Sequence, residues 1–164
     1  MKLIDKNNEY IEILKKFPKK RISLSDEYKD IYNQHYSNNR SGSGISNFLS
    51  QYMESWMHKR VSSIKGKKIL EVGAGNLNHV KYERNFNCYD IVEPFVDLYK
   101  NNSELSKVRN KFKSLSEVED KFDKIVSIAS LEHLEDLPNE IMICKKLLNE
   151  DGIFQVAIPC EGEF

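Results

Sequence analysis

Residues 67–75, Lys-Lys-Ile-Leu-Glu-Val-Gly-Ala-Gly, constrain the fold more than any other part of this chain. A short apolar run stops at two glycines one residue apart. That is the pattern of a buried parallel strand running into a loop whose backbone approaches a ligand closely. Glycine serves there because it lacks a Cβ and accepts positive φ. Downstream, strand-like runs recur at 88–92, weakly at 111–115, at 124–128 and at 153–158, with Pro94 and Pro159 beyond the second and the last. Helical patterns over 76–84, 95–101 and 139–148 separate them. The alternation predicts an α/β fold, a doubly wound and mainly parallel sheet with helices on both faces.

Residues 1–64 read differently, as helices joined by polar turns, and are predicted to form an N-terminal helical cap or lid on an α/β core at 65–164. The pattern predicts helices at 9–16, at 25–36 and from Ile45 to Val61. In the last of these, Phe48, Leu49, Tyr52, Met53, Trp56, Met57 and Val61 make an apolar stripe expected to pack inward. The polar-aromatic cluster Tyr32, His35, Tyr36, Asn39 and Arg40 precedes a glycine-serine loop. Arg40 there could pair with a ligand carboxylate as a lid closes.

Composition narrows the functional classes. Lysine plus arginine and aspartate plus glutamate both number 25, so the strong basic field of a nucleic-acid binder is missing. Charge begins too early for a signal peptide, and no apolar run approaches the roughly 18 residues of a membrane span. The three cysteines, Cys88, Cys144 and Cys160, lack metal-ligand spacing and suit reduced thiols. The expectation is a soluble cytoplasmic protein acting on a small molecule, with its oligomeric state open.

In open α/β sheets, ligands bind beyond the carboxyl ends of the strands. The first predicted strand carries Glu71 just before Gly73-Ala74-Gly75, where a pyrophosphate would be repelled and a cationic ligand welcomed. The second ends in Glu93, 18 residues past Gly75 (93 − 75), placed to accept both hydroxyls of a ribose. The fourth runs into Ser130-Leu131-Glu132-His133. His133 is the candidate catalytic base, its imidazole able to take a proton from an attacking acceptor. His79 is read as structural and His58 as a surface residue.

These motifs together resemble the class I S-adenosylmethionine-dependent methyltransferases, over residues 66–160. Glu71-Val-Gly-Ala-Gly75 is similar to that family's first motif and Tyr89-Asp-Ile-Val-Glu93-Pro94 to its second. Residues 122–134 and 149–159 are similar to the segments around its fourth and fifth strands. The resemblance implies a Rossmann-like core with S-adenosylmethionine as cofactor, and methyl transfer to an oxygen or nitrogen of a small-molecule or saccharide acceptor. Gly73, Ala74 and Gly75 would then pass under the methionine portion, Glu71 would address its amino group through water, and Glu93 would hold the ribose. Pro94, Ser114 and Leu115 would flank the adenine, and the backbone at Ala129 would meet the amine.

Two departures accompany the likeness. Serines occupy the third-strand turn where many members carry an acid, and the family's two last strands are not found before Phe164, which reads as a C-terminally short core. No metal is expected, since Ala129 stands where a metal-using branch has its first acid. The rivals are an NAD-linked oxidoreductase, whose fingerprint wants a third glycine where Asn78 stands, and a non-catalytic or truncated cofactor-binding module.

Overall fold

The computed structural model describes residues 45–158, with side chains from Tyr52 onward. The two predicted N-terminal helices, Arg40 and its cluster, Pro159 and Cys160 lie outside the described residues. The element order is α1 (Ile45–Val61), β1 (Lys68–Val72), β2 (Cys88–Val92), β3 (Lys111–Phe112), β4 (Phe122–Ile128), α2 (Leu137–Leu147) and β5 (Leu148–Ala157). All five strands pair in parallel in the order β3-β2-β1-β4-β5. Chain order reverses at β1, so the crevice between β1 and β4 is the topological switch point.

The period-2 alternation of each strand builds two cores. On one face Ile69, Tyr89, Ile91 and Val126 pack with Val61 of α1. On the other, Leu70, Val72, Val92 and Ile125 pack with Cys144 and Leu147 of α2. One α-helix thus covers each face, and among the described residues β5 is a sheet edge. No described helix is long and apolar enough to cross a membrane.

Four local expectations are corrected. The helix predicted over 76–84 is reduced to a 3₁₀ turn, Val80–Tyr82, because Leu77 takes a left-handed φ of 59° and breaks the helical run. The one predicted over 95–101 likewise shrinks to a 3₁₀ turn at Val96–Leu98. β3 stops at Phe112 rather than at 115, since the Ser114 hydroxyl accepts from the Ser116 N–H and opens a new turn. β5 begins at Leu148, opposite Phe122, and carries an irregularity before Ile153 pairs with Lys124.

The stripe on α1 also departs from expectation. Tyr52, Met53 and Trp56 are more than half exposed, while His58 and Val61 are buried. The inward face is set by Glu54, His58 and Val61, whose three- and four-residue spacing aims them at the sheet.

Candidate functional site

A cleft of about 800 Å³ opens at the carboxyl ends of β1, β2 and β4. It is large enough for a nucleoside-sized ligand. Every described residue singled out from the sequence lines it: Glu71, Gly73, Ala74, Gly75, Glu93, Pro94, Ser114, Leu115, Ala129 and His133. Their convergence follows from the parallel sheet, which delivers each strand's end to the same side.

The floor is backbone. Gly73 and Gly75 sit at φ 74° and 51°, a region open to glycine at little cost. A Cβ on Gly73 would overlap the side chain of Ser130, which leans across the loop from the end of β4. Ala129 is left-handed without being glycine, at φ 50°, with its N–H bonded to the Ala157 carbonyl at 2.8 Å. Strain of this kind survives only where the surroundings enforce it. Beneath it, the buried Ser127 hydroxyl donates to the Val72 carbonyl at 3.0 Å and ties β4 to β1 where the crevice opens.

Two carboxyls face the cleft from adjacent strands, and their settings differ. The Glu93 Oε2 accepts from the Gly75 N–H at 2.8 Å and its Oε1 from the Phe95 N–H at 2.9 Å. Burial pushes its pKa up, and the Phe95 and Gly75 N–H groups pull against that rise. Each oxygen keeps a lone pair for a further donor, such as a vicinal diol. Glu71 is 3% exposed, and the Tyr89 hydroxyl donates to its Oε2 at 2.8 Å. Desolvation lifts its pKa to about 8, with Glu83 and Glu93 adding to the rise. Glu71 is therefore mostly protonated at neutral pH.

His133 ends a 3₁₀ turn at Leu131–His133, its N–H bonded to the Ser130 carbonyl at 2.9 Å. Ser114 and Leu115 reach the cleft from the turn after β3. Asn78, at the position of an absent third glycine, donates its side-chain amide to Glu54 Oε1 at 2.9 Å.

One residue of the cleft sits elsewhere than expected. His58, expected at the surface, is 5% exposed and forms part of the cleft wall together with Glu54 and Met57. A stacked contact with Tyr82, at 5.3 Å between ring centroids, and the burial of α1 against the sheet explain its position. The signal available was its spacing, four after Glu54 and three before Val61. Among the described residues, no group of three or more histidine, cysteine or acidic side chains is arranged to hold a metal ion.

Comparison with known proteins bears on the family and the fold. The family described as a methyltransferase domain matches residues 45–162. No match was found among curated proteins. Among solved structures, the chain is similar to magnesium protoporphyrin IX methyltransferase from Synechocystis PCC 6803 with bound SAM. The TM-score is 0.56 and the identity 14%, over 79% of this chain and 74% of that one. It is also similar to CalS10 from Micromonospora echinaspora, an amino pentose methyltransferase involved in calicheamicin biosynthesis. That match has a TM-score of 0.52 and 13% identity, over 85% of this chain and 59% of that one. Coclaurine N-methyltransferase bound to N-methylheliamine and SAH gives 0.51 and 17%, over 70% of this chain and 37% of that one. The chain thus spans little more than a third of the last and under two thirds of CalS10. At these identities the likeness establishes the fold.

Proposed function

Because the chain belongs to the methyltransferase-domain family, we propose that it transfers a methyl group from S-adenosylmethionine to an oxygen or nitrogen of a small-molecule or saccharide acceptor. The observation that carries the reading is the Glu93 carboxylate, anchored by the N–H groups of Gly75 and Phe95 beside the glycine loop. A carboxylate so fixed receives two neighbouring ribose hydroxyls without reorganising.

The residues present fit the cofactor. The left-handed glycines keep the floor of the cleft free of side chains, and Glu71 gains its charge when a cation is placed against it. Bound, the cofactor supplies an electrophilic methyl group. The chain's own work is to align the acceptor and exclude water. Pro94, Ser114 and Leu115 are assigned to the base of the nucleoside, and Ala74 and Ala129 to its amino-acid tail. Arg40 is assigned to the tail's carboxylate, and His133 to contact with the acceptor.

Thermal unfolding in the presence of S-adenosylmethionine or NAD tests the reading. S-adenosylmethionine should raise the midpoint, by an amount that grows with the logarithm of its concentration, and NAD should leave it unchanged. The reverse outcome would establish the oxidoreductase alternative. Incubation of the protein with methyl-labelled S-adenosylmethionine and fractionated cell extract should then label one small-molecule fraction.

A further inference from the structure

A chain of buried polar groups runs from the core to the wall of the cleft, and the function above uses none of them. At its inner end the Lys124 ammonium donates to the carbonyls of Val61 at 3.0 Å and Ile64 at 2.9 Å, and also to Glu83 Oε1. The same Oε1 is 2.8 Å from His79 Nε2, and His79 Nδ1 is 3.2 Å from His58 Nδ1. His58 then reaches the cleft, with its Nε2 3.6 Å from Glu54 Oε1. Lys124 and His79 are fully buried, and Glu83 and His58 are each 5% exposed.

The hydrogen bonds along this chain fix its protons. Burial pulls the Lys124 pKa down, but its three acceptors, two carbonyls and Glu83 Oε1, take all three ammonium protons, so the charge stays and Glu83 beside it is a carboxylate. Burial pushes Glu83 up, but the bonds from His79 and Lys124 outweigh it and hold its pKa below the ordinary value. Burial favours a neutral His79. Its one proton must then sit on Nε2, facing the carboxylate, which leaves Nδ1 as an acceptor. Among the described residues, His58 Nδ1–H is the donor within reach of that acceptor. In the neutral ring, the Nε2 of His58, the nitrogen on the Glu54 side, then carries the lone pair.

We propose that His58 accepts the proton of the methyl acceptor, its tautomer fixed by His79, Glu83 and Lys124 as positioning residues. This rests on the methyl-transfer reading. In the step, the acceptor's N–H or O–H bond breaks, the electron pair stays on the acceptor atom, and the proton forms an N–H bond at His58 Nε2. The imidazolium so formed faces the Glu54 carboxylate, which offsets its charge. The charged and titratable groups around it are Glu54 from α1, His79, Tyr82 and Glu83 from the turn after β1, and Lys124 from β4. His133 lines the same cleft from the end of β4, and it remains for contact with the acceptor.

The deciding measurement is a long-range proton–nitrogen NMR spectrum of the full chain at neutral pH, with and without S-adenosylhomocysteine. His58 should be protonated at Nδ1 and bare at Nε2, and His79 the reverse. Glu83→Gln should abolish the preference at His58. A His58 ring protonated at Nε2, or one unmoved by Glu83→Gln, overturns the proposal.

Diethyl pyrocarbonate gives a second readout. The bare Nε2 should be acylated at least ten times faster than the sealed His79, and an inert His58 counts against the assignment. With the acceptor fraction from the labelling assay, His58→Gln should slow transfer about a hundredfold, while S-adenosylhomocysteine affinity stays within about twofold. An unchanged rate overturns the proposal. Failure of S-adenosylhomocysteine to bind the wild-type protein would instead strike the underlying reading, and the tautomers of the free protein would still be readable.

Discussion

Glu71 shows how one side chain's setting links stability to binding. Its pKa rises from 4.5 to about 8 on folding because burial disfavours the anion. The folded state therefore holds the proton more tightly than the unfolded state does. The stability it contributes is fully present below about 4.5 and is lost as pH rises through about 8. Urea midpoints of the free protein should fall between pH 5 and 8, and Glu71→Gln should flatten that decline while keeping the Tyr89 bond. A cation in the cleft reverses the preference, so cofactor binding should release a proton and tighten over the same interval. Gly73 makes a steric counterpart. Gly73→Ala would force alanine into a left-handed φ and into the Ser130 side chain, a loss of roughly 2–3 kcal/mol that Ser130→Gly should partly restore. Denaturant titration of the single and double variants checks this.

Among the elements, β2 shows how a polar side chain can organise a sheet. Asp90, fully buried, accepts from Nε and Nη2 of Arg109 and from the Asn110 backbone N–H at 3.1 Å, fixing the approach of the two-residue β3. Arg109→Ala should leave that buried carboxylate with the Asn110 donors alone and cost on the order of 2 kcal/mol, discounted because the guanidinium is partly exposed. Chemical denaturation measures it.

The central strands were legible in the sequence. β1 and β2 begin and end as predicted because an apolar run meets glycine or precedes proline. The short elements after them were not. Asn76, Leu77 and Asn78 carry helix-compatible spacing, but Asn102 bonds the Asn76 carbonyl and Glu54 takes the Asn78 side chain, contacts from distant segments that replace a helix with turns. The Lys124–Glu83–His79–His58 chain was equally hidden. Read alone, His79 passes as structural and His58 as exposed, and only the docking of α1 on the sheet joins His58 to the other three.

For the whole molecule, the order β3-β2-β1-β4-β5 decides where chemistry can occur, because it opens one crevice at the switch point and aims the ends of β1, β2 and β4 at it. The glycine floor, Glu93, Ser114 and His133 share a cleft for that reason, and the sequence spacing could be turned into a site once a parallel sheet was inferred. What the apolar pattern hid was the second wall, since α1 presents His58 inward and Tyr52, Met53 and Trp56 outward; only the Glu54, His58 and Val61 spacing carried a trace of it.

The whole account depends on a nucleoside sugar held at Glu93. Calorimetric titration of S-adenosylhomocysteine into the wild-type chain and the Glu93→Ala variant tests it directly. The prediction is one-site binding to the wild type and at least a tenfold loss in the variant, with the circular dichroism spectrum unchanged. Equal affinity in a folded Glu93→Ala protein, or no heat with the wild type, would contradict it.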